Sequence, residues 1–452
     1  MGTGKTGTAI LSYRNWCAMA RKRMRCLVIC PSVVLHNWKD EFLNFSKVDE
    51  HEIHVLGKGS GNDKAALVRS LCDNTESLVL TVNYEALLND NLLSAVEKWK
   101  PEVIIFDEIH LTKNVKAKRT KRCIRLAEFA KKRIGLTGTP ILNNVMDVYG
   151  IFRVVDLGKT FGTNEYVYQN RYLIDLNSSW KGKQNYFPKW TNNPKTFEEL
   201  NEKIYKKSLR KLKSECLDLP DLIKIPVISA MGKEQARVYK AMEKDFVAFI
   251  KDNNDKGVSN TVTANLAVVK AIRLLQIASG FAVNDAGEET VFDDVPRLDD
   301  CKEYVDQIVN EYGEKCILWC SFKQNYKMLS KMCDELGIKY VFITGNETTE
   351  EKRLSELAFQ NDPNVKVVIC NRKAGGVGVN LTAAAYSYVY SRNFSLDEEL
   401  QSEARNHRGG SEIHEKIIKY NGQCEGTIDA QVIEALEGKF NMSTAILDMV
   451  RE

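Results

Sequence analysis

Two stretches of the chain alternate short, mostly apolar runs with longer segments of helical spacing, and a third stretch between them does not. In the first half the apolar runs are 26–30, 77–82, 103–106 and 133–136. Each is closed by a turn or a polar cluster: Pro31-Ser32, Asn83-Tyr84-Glu85, Asp107-Glu108-Ile109-His110 and Thr137-Gly138-Thr139-Pro140. Short apolar runs closed in this way predict buried strands of a parallel sheet. Helices are predicted over 7–20 and from His36 onward, where Trp38 and Phe42, four residues apart, make one packing face. In the second half the runs 315–320, 340–343 and 365–369 alternate with helices predicted over 298–312, 325–336 and 353–359. Both stretches therefore read as doubly wound α/β units.

The sheet pattern stops near Asp156. Residues 160–215 carry Phe161, Tyr166, Tyr168, Tyr172, Trp180, Tyr186, Phe187 and Trp190, either the core of a small helical insertion or a platform for stacked bases. A helix is predicted near 197–213, and two more over 231–251 and 261–280 flank a polar linker, 252–260. The expected divisions are a first α/β lobe (1–158), a helical insertion with its linker (159–230), a second helical insertion (231–292), a second α/β lobe (293–420) and C-terminal helices (421–452). No internal repeat or long low-complexity segment interrupts them.

The totals narrow the picture only a little. A chain of 452 residues exceeds one ordinary core, and 44% hydrophobic with 27% charged residues is usual for globular protein. The formal charge of +4 is too small to reveal a nucleic-acid partner, so any basic surface must be local. None of the twelve cysteines pairs at C-x-x-C spacing, and several lie within strand-like runs, which reads as buried free thiols in a reducing compartment. No apolar run is long enough to span a bilayer, and a phosphate-binding loop stands where a signal peptide would begin.

That loop is Met1-Gly2-Thr3-Gly4-Lys5-Thr6, the end of a G-x-x-x-x-G-K-[ST] pattern. The chemistry needs Gly2, Thr3 and Gly4 to bring backbone N–H groups around a phosphate, Lys5 to reach the outer phosphates, and the Thr6 hydroxyl to ligate Mg²⁺. The helix that follows faces the phosphates with its N-terminus. Asp107 and Glu108 arrive at the carboxyl end of a strand, where ligands of parallel sheets sit. One carboxylate there holds a metal ion and the next polarises a water, unless the pair only caps a helix. Thr137 and its turn suit a hinge sensing nucleotide state, or a plain β-turn. Lys113, Lys116, Lys118, Arg119, Lys121, Arg122, Arg125, Lys131, Lys132 and Arg133 form a basic stretch, either a solvated helix face or a contact with phosphate backbone. A glycine cluster, Ala374 to Thr382, follows the strand 365–369. Arg405 and Arg408, three apart and expected on one helix face, read as arginine fingers or as partners in helical salt bridges.

In this order the motifs resemble superfamily-two helicase motors. His36-Asn37-Trp38, Lys113-Asn114 and Pro140-Ile141-Leu142-Asn143-Asn144 resemble the Swi/Snf family within it, and the resemblance runs from residue 1 to about 440. It implies two RecA-like lobes with helical insertions between them. It implies an ATPase that uses ATP and Mg²⁺ and translocates on double-stranded DNA without separating the strands. Lys5, Asp107, Glu108, Arg405 and Arg408 would then be catalytic, with Thr6 and Asp107 at the metal. Gln401 would join Gly2, Thr3, Gly4, Lys5 and Thr6 at the nucleotide. Lys113, Asn114, Thr137, Gly375, Gly376 and Asn380 would face DNA. The chain departs from the family at Lys211, where a second arginine is usual, at Ala404, where an acid is usual, and at Ser411, where a glutamine is usual.

The expected protein is a monomeric intracellular motor, in the cytoplasm of a bacterium or a virus-infected cell or in a eukaryotic nucleus, with no membrane partner. Two other readings stay open: a strand-separating helicase, and a nucleic-acid-binding protein without ATPase activity. The second follows from the entry into the phosphate loop partway through its pattern, which marks Met1 as an internal residue or the sequence as a fragment.

Overall fold

The computed structural model describes residues 3–74, 76–138, 140–141, 144–182, 186, 188–255, 261–284, 286–375 and 378–448. The chain divides into two compact units, one built mainly from 2–176 and 189–211 and the other mainly from 212–441. The strands, in chain order, are β1 (Cys26–Cys30), β2 (Ile53–Val55), β3 (Val79–Asn83), β4 (Val103–Asp107), β5 (Lys132–Leu136), β6 (Leu173–Asp175), β7 (Trp190–Asn192), β8 (Asp221–Ser229), β9 (Phe281–Val283), β10 (Glu289–Val291), β11 (Cys316–Cys320), β12 (Tyr340–Ile343), β13 (Val367–Asn371), β14 (Tyr386–Val389) and β15 (Lys416–Cys424).

In the first unit the sheet order is β2-β3-β1-β4-β5, and every pairing is parallel. β1 is buried along its whole length, as a central parallel strand covered on both faces must be. The helix Lys5–Ala20 precedes β1, the helix Leu35–Phe45 follows it, and the helix Asp90–Trp99 leads to β4. β4 delivers Asp107 at its carboxyl end. Four aromatic residues pack on one another: Phe161 meets Phe152 at 4.9 Å and Tyr168 at 5.3 Å between ring centroids, and Tyr168 meets Tyr172 at 4.6 Å, while Tyr166 stays exposed. Tyr168 and Tyr172 are buried, so these rings are core and not a stacking platform.

The second unit carries the order β12-β13-β11-β14-β15-β8, again wholly parallel. Alternate residues of β11 enter opposite cores: Cys316, Leu318 and Cys320 one, Ile317 and Trp319 the other. Each unit is thus a doubly wound α/β lobe of the RecA-like kind. Nine of the twelve cysteines are buried, and all twelve are free thiols. Among the described residues no helix is long and apolar enough to cross a membrane.

Several expectations need correction. The helix predicted over 197–213 runs only over Phe197–Tyr205. The helix before the 252–260 linker continues to Asp255. The helix predicted over 298–312 ends as Pro296–Asp306 with one wider π turn after it. β8 lies within the segment read as insertion and linker, yet it pairs with β15 over nine positions, from Asp221 opposite Lys416 to Ser229 opposite Cys424. Its pattern hid it. Five of its nine residues are exposed, and Pro226 lacks the N–H of a ladder, which is tolerable only on an edge strand. The β9–β10 hairpin and the strands β14 and β15 also escaped the hydrophobic pattern.

The C-terminal helix Ile428–Asp448 is locked to the second lobe by a fully buried ion pair. Arg297 donates to Asp429 Oδ2 and to Gly422 O, both at 2.8 Å, and to Ala278 O at 3.1 Å. Asp429 Oδ2 also accepts the Cys424 N–H at 2.9 Å. Asp429→Ala strands that guanidinium. The expected cost is about 3–5 kcal/mol in chemical denaturation, and a loss under about 1 kcal/mol would show that the pair carries little of the docking.

Candidate functional site

The phosphate loop enters its helix through a left-handed residue. Gly4 has φ 75° and ψ 21°, and a Cβ there would meet nothing within 4 Å, so glycine serves conformation and not crowding. The Gly4 carbonyl accepts both the N–H and the hydroxyl of Thr8 at 2.9 Å. The N–H groups of the first turn, around Lys5 and Thr6, have no intrahelical acceptors and suit an anion. Thr3 lies just ahead of this turn; Gly2 lies outside the described residues.

The helix is held firmly behind that turn. Tyr13 packs edge-on against Phe42 at 5.7 Å and donates to Met24 O at 2.9 Å. Arg14 donates to Phe45 O at 3.0 Å, and the Lys132 ammonium sits 5.6 Å from the Trp16 ring.

The acidic pair sits at the end of β4. Asp107 accepts the Trp38 indole N–H on Oδ2 at 2.9 Å and the Glu108 N–H on Oδ1 at 3.0 Å. Tyr84 donates its hydroxyl to the Asp107 carbonyl at 2.8 Å. Burial, followed by the charge of Glu108, raises the Asp107 carboxyl to about 6, against the Trp38 hydrogen bond and the Lys5 ammonium that lower it. Lys5 and Asp107, a hundred residues apart in sequence, thus share one electrostatic site.

Glu108 holds a left-handed backbone, φ 48° and ψ 50°, which is strained for a residue with a Cβ. Its Oε2 is buried without an aligned hydrogen bond, although His110 Nδ1 stands 3.2 Å away. The same His110 nitrogen lies 3.1 Å from Thr137 Oγ1. A buried histidine therefore spans the acid and the turn expected to sense nucleotide. Thr139 and Asn143 fall outside the described residues.

Lys113 and Asn114 follow the short turn Ile109–Thr112, where Asn114 is exposed and its Oδ1 accepts the Lys116 N–H at 2.9 Å. Gly150 backs this segment so closely that a Cβ would strike the Lys113 and Thr112 carbonyls. The basic helix Lys118–Phe129 is largely a paired face: Arg119 meets Glu85 at 2.7 Å, Arg125 meets Glu97 at 2.7 Å, and Arg122 pairs with Asp90. Lys118 and Lys121 remain exposed. Three arginines of this stretch thus already have acidic partners.

In the second lobe the glycine cluster begins in the short helix Arg372–Gly375; Gly376 lies outside the described residues. Asn380 donates its N–H to Glu356 Oε1 at 2.8 Å, and its carbonyl accepts the Gln360 amide N–H at 3.0 Å. Burial raises the Glu356 carboxyl, against the Asn380 bond and the charges of Arg408, Arg405 and Arg353. The expectation that Arg405 and Arg408 share a helix face is overturned. The helix Leu396–Glu403 ends before them, and both lie in successive turns. The chain leaves the helix because its polar groups find partners elsewhere. The Arg405 carbonyl takes the Leu381 N–H at 3.1 Å, and Asn406 donates to Ala384 O at 3.2 Å.

Arg405 is buried, donating to Gln401 O at 3.0 Å and Val379 O at 3.3 Å, whereas Arg408 is half-buried. Gln401 directs its amide to Asp397 at 2.9 Å. Ala404 and Ser411, the two departures of this motif, are both buried. His414 bonds Thr382 O at 2.8 Å.

Sequence reasoning missed Trp38 and Tyr84, which were read as packing or as a strand end. The available signal was that a buried indole needs an acceptor for its N–H, and Asp107 supplies it. Among the described residues no cluster of histidine, cysteine and acid forms a metal cage.

A phosphate-loop helix and an acidic strand end on one parallel sheet, with a second parallel sheet bearing an arginine loop, define a two-lobed helicase-like ATPase fold. Residues 1–276 match the SNF2-related domain and residues 299–410 the helicase conserved C-terminal domain. The chain belongs to the SNF2-related family. It is 26% identical to Chromodomain-helicase-DNA-binding protein 1-like of Danio rerio over 99% of this chain and 41% of that protein. It is 25% identical to Transcription regulatory protein SNF2 of Saccharomyces cerevisiae over 98% of this chain and 27% of that protein. The chain thus spans about two fifths or less of the length of these two curated relatives. A Sulfolobus solfataricus SWI2/SNF2 ATPase core in complex with dsDNA aligns with all of this chain and 87% of its own at 24% identity. The TM-score is 0.41, too loose an overlap to place any residue.

Trp38→Phe keeps an aromatic ring but removes the donor to Asp107. Turnover of ATP should fall about tenfold while the unfolding midpoint stays close to wild type, as read by steady-state hydrolysis and thermal melts. Unchanged turnover would reduce the indole to a packing role.

Proposed function

We propose that this chain is the motor core of an ATP-dependent double-stranded DNA translocase, hydrolysing ATP with residues from both lobes. The observation that carries the reading is the meeting of Lys5, Asp107 and Glu108 at one end of one parallel sheet. Lys5 and the first-turn N–H groups would hold the phosphates. Glu108 would orient and deprotonate the attacking water, from a strand end where its carboxylate is held beside His110.

Mg²⁺ fits the residues present. Asp107 is a buried carboxylate raised to about 6 by burial and by its acidic neighbour, so a divalent cation beside it would offset both. Thr6 and Asp107 would hold the ion, which when bound screens the charge of the phosphates. Arg408, the more accessible of the two arginines, would offset charge on the triphosphate during hydrolysis, with Arg405 setting its loop.

Lys113, Asn114, Thr137, Gly375, Gly376 and Asn380 would meet the duplex, mostly through backbone phosphates and without reading sequence. The motor would act as a monomer inside the cell.

ATP turnover should rise with duplex and less with single strands. Glu108→Gln should lower it by about 10²- to 10⁴-fold while ATP binding persists. Turnover near wild type in that variant would remove Glu108 from the mechanism. Triplex displacement without unwinding of a fluorescent duplex would support translocation; unwinding would establish the strand-separating reading instead. Arg408→Ala should cost about 10³-fold or more in turnover, measured at saturating ATP and duplex, and a loss under tenfold would exclude a finger role.

A further inference from the structure

We infer that the amino edge of the first sheet is a docking groove for a partner protein's acidic peptide segment, one that carries an aromatic or other large apolar side chain among its acids. The inference stands apart from the motor reading and uses residues that no motif assigned. The groove has a volume of about 620 Å³ and lies where β1, β4 and β5 begin, walled by Arg25, Glu102 and Lys131. Asp107 stands at the other end of β4, roughly 13 Å along a five-residue strand, so an occupant would leave the phosphate loop and the acidic pair clear.

The walls carry more positive charge than negative. Arg23 pairs with Glu52 at 2.5 Å, and Glu97 with Arg125 at 2.7 Å. Arg25 spends its guanidinium on carbonyls: Trp99 O at 2.8 Å, Cys72 O at 2.9 Å and Asn74 O at 3.0 Å. Lys22 and Lys131 share the single carboxylate of Glu102. Lys100 is exposed, and among the described residues neither it nor Arg25 has an ion pair. Arg25, Lys100 and one of the two lysines on Glu102 are thus left to attract an anion. The carbonyl ends of the neighbouring helices do not cancel them. Arg25 covers Trp99 O, and Arg133 covers Ala127 O at 2.7 Å and Ala130 O at 2.6 Å.

Between these charges the groove is apolar. Leu78 and Pro101 are buried in it, while Phe129 is 52% exposed. A charged ring around apolar surface fits a peptide better than a nucleic-acid backbone. A row of phosphates would leave the apolar surface unfilled and would meet Glu97 and Glu102, whereas a peptide can set its acids and its apolar side chain apart. The groove is also preformed. The Arg25 carbonyl accepts the N–H groups of Glu102 at 2.9 Å and Val103 at 3.0 Å, and the Glu102 carbonyl those of Lys131 at 2.9 Å and Lys132 at 3.1 Å. Little ordering of the protein is left to oppose binding. Lys100 is a separate sign. It closes the helix Asp90–Trp99 with φ 55° and ψ 68°, a left-handed conformation in which glycine is usual. A lysine is strained there, and what it adds over glycine is charge at the groove.

The test uses the full chain and fluorescence anisotropy with three labelled probes: a peptide of glutamates and aspartates with phenylalanine at its centre, the same peptide with serine in place of phenylalanine, and a blunt DNA duplex. Wild type should bind the phenylalanine peptide saturably, more tightly than the serine peptide, and more weakly as salt rises. Lys100→Glu and Phe129→Ser should each weaken that binding by about tenfold and leave duplex affinity and ATP turnover unchanged. Lys100→Gly suits the left-handed backbone, so it should unfold no earlier than wild type yet hold the peptide less well. That variant decides if Lys100→Glu or Phe129→Ser fails to fold. Equal peptide binding by wild type and Lys100→Gly overturns the inference, as does a wild type that binds no peptide saturably. Equal affinity for the phenylalanine and serine peptides overturns it too, since charge alone would then be at work. Should the variants weaken duplex binding and spare the peptide, the groove is a nucleic-acid surface and the peptide reading falls.

Discussion

A parallel sheet brings the carboxyl ends of all its strands to one edge, and that constraint places the chemistry of both lobes. In the first lobe β4 ends on Asp107 and β5 on Leu136, just before Thr137, so the acid and the expected sensor turn become neighbours. His110 can then touch both Glu108 and Thr137. In the second lobe β13 and β14 are both neighbours of β11, so the glycine segment after β13 and the arginine element after β14 meet at one edge. Neither site needs a long-range coincidence of side chains. The strand order supplies the proximity, and local turns supply the aim.

Much of this was legible because buried parallel strands advertise themselves as unbroken apolar runs. Residues 26–30, 103–106 and 315–320 could be assigned with little ambiguity, and the polar residues closing each run were the site residues. What stayed hidden had a physical reason in each case. β8 is an edge strand with a proline, so its pattern imitates a linker. The arginine element looked helical because its spacing is helical, yet its backbone groups bond to Leu381 and its side chains to neighbouring carbonyls. The partners of Asp107 come from Trp38 and Tyr84, whose apolar bulk concealed their single polar atoms. Paired arginines on the basic helix could not be told from free ones, because Glu85, Asp90 and Glu97 are distant in sequence.

The two lobes handle buried charge differently. The first keeps a carboxylate short of positive charge, and burial pushes Asp107 up to about 6. The second surrounds Glu399 with three cations. An acid short of cations suits a place that receives one from outside. An acid saturated with them suits a fixed joint, since breaking any one contact leaves the others in place. Charge balance alone therefore separates a site built to accept a ligand from one built to hold its own elements together.

The pairing of β8 with β15 also bears on how the chain is made. Its two halves lie roughly 200 residues apart, so at ~5–20 residues per second the ribosome delivers the second about 10–40 s after the first. During that interval an apolar strand is present without its neighbour, the condition under which nascent chains pair wrongly. Pro226 at the middle of β8, with Asp221 and Lys224 ahead of it, makes the waiting strand a poor template for any other edge. The same residues that disguise β8 as a linker would thus protect it during synthesis.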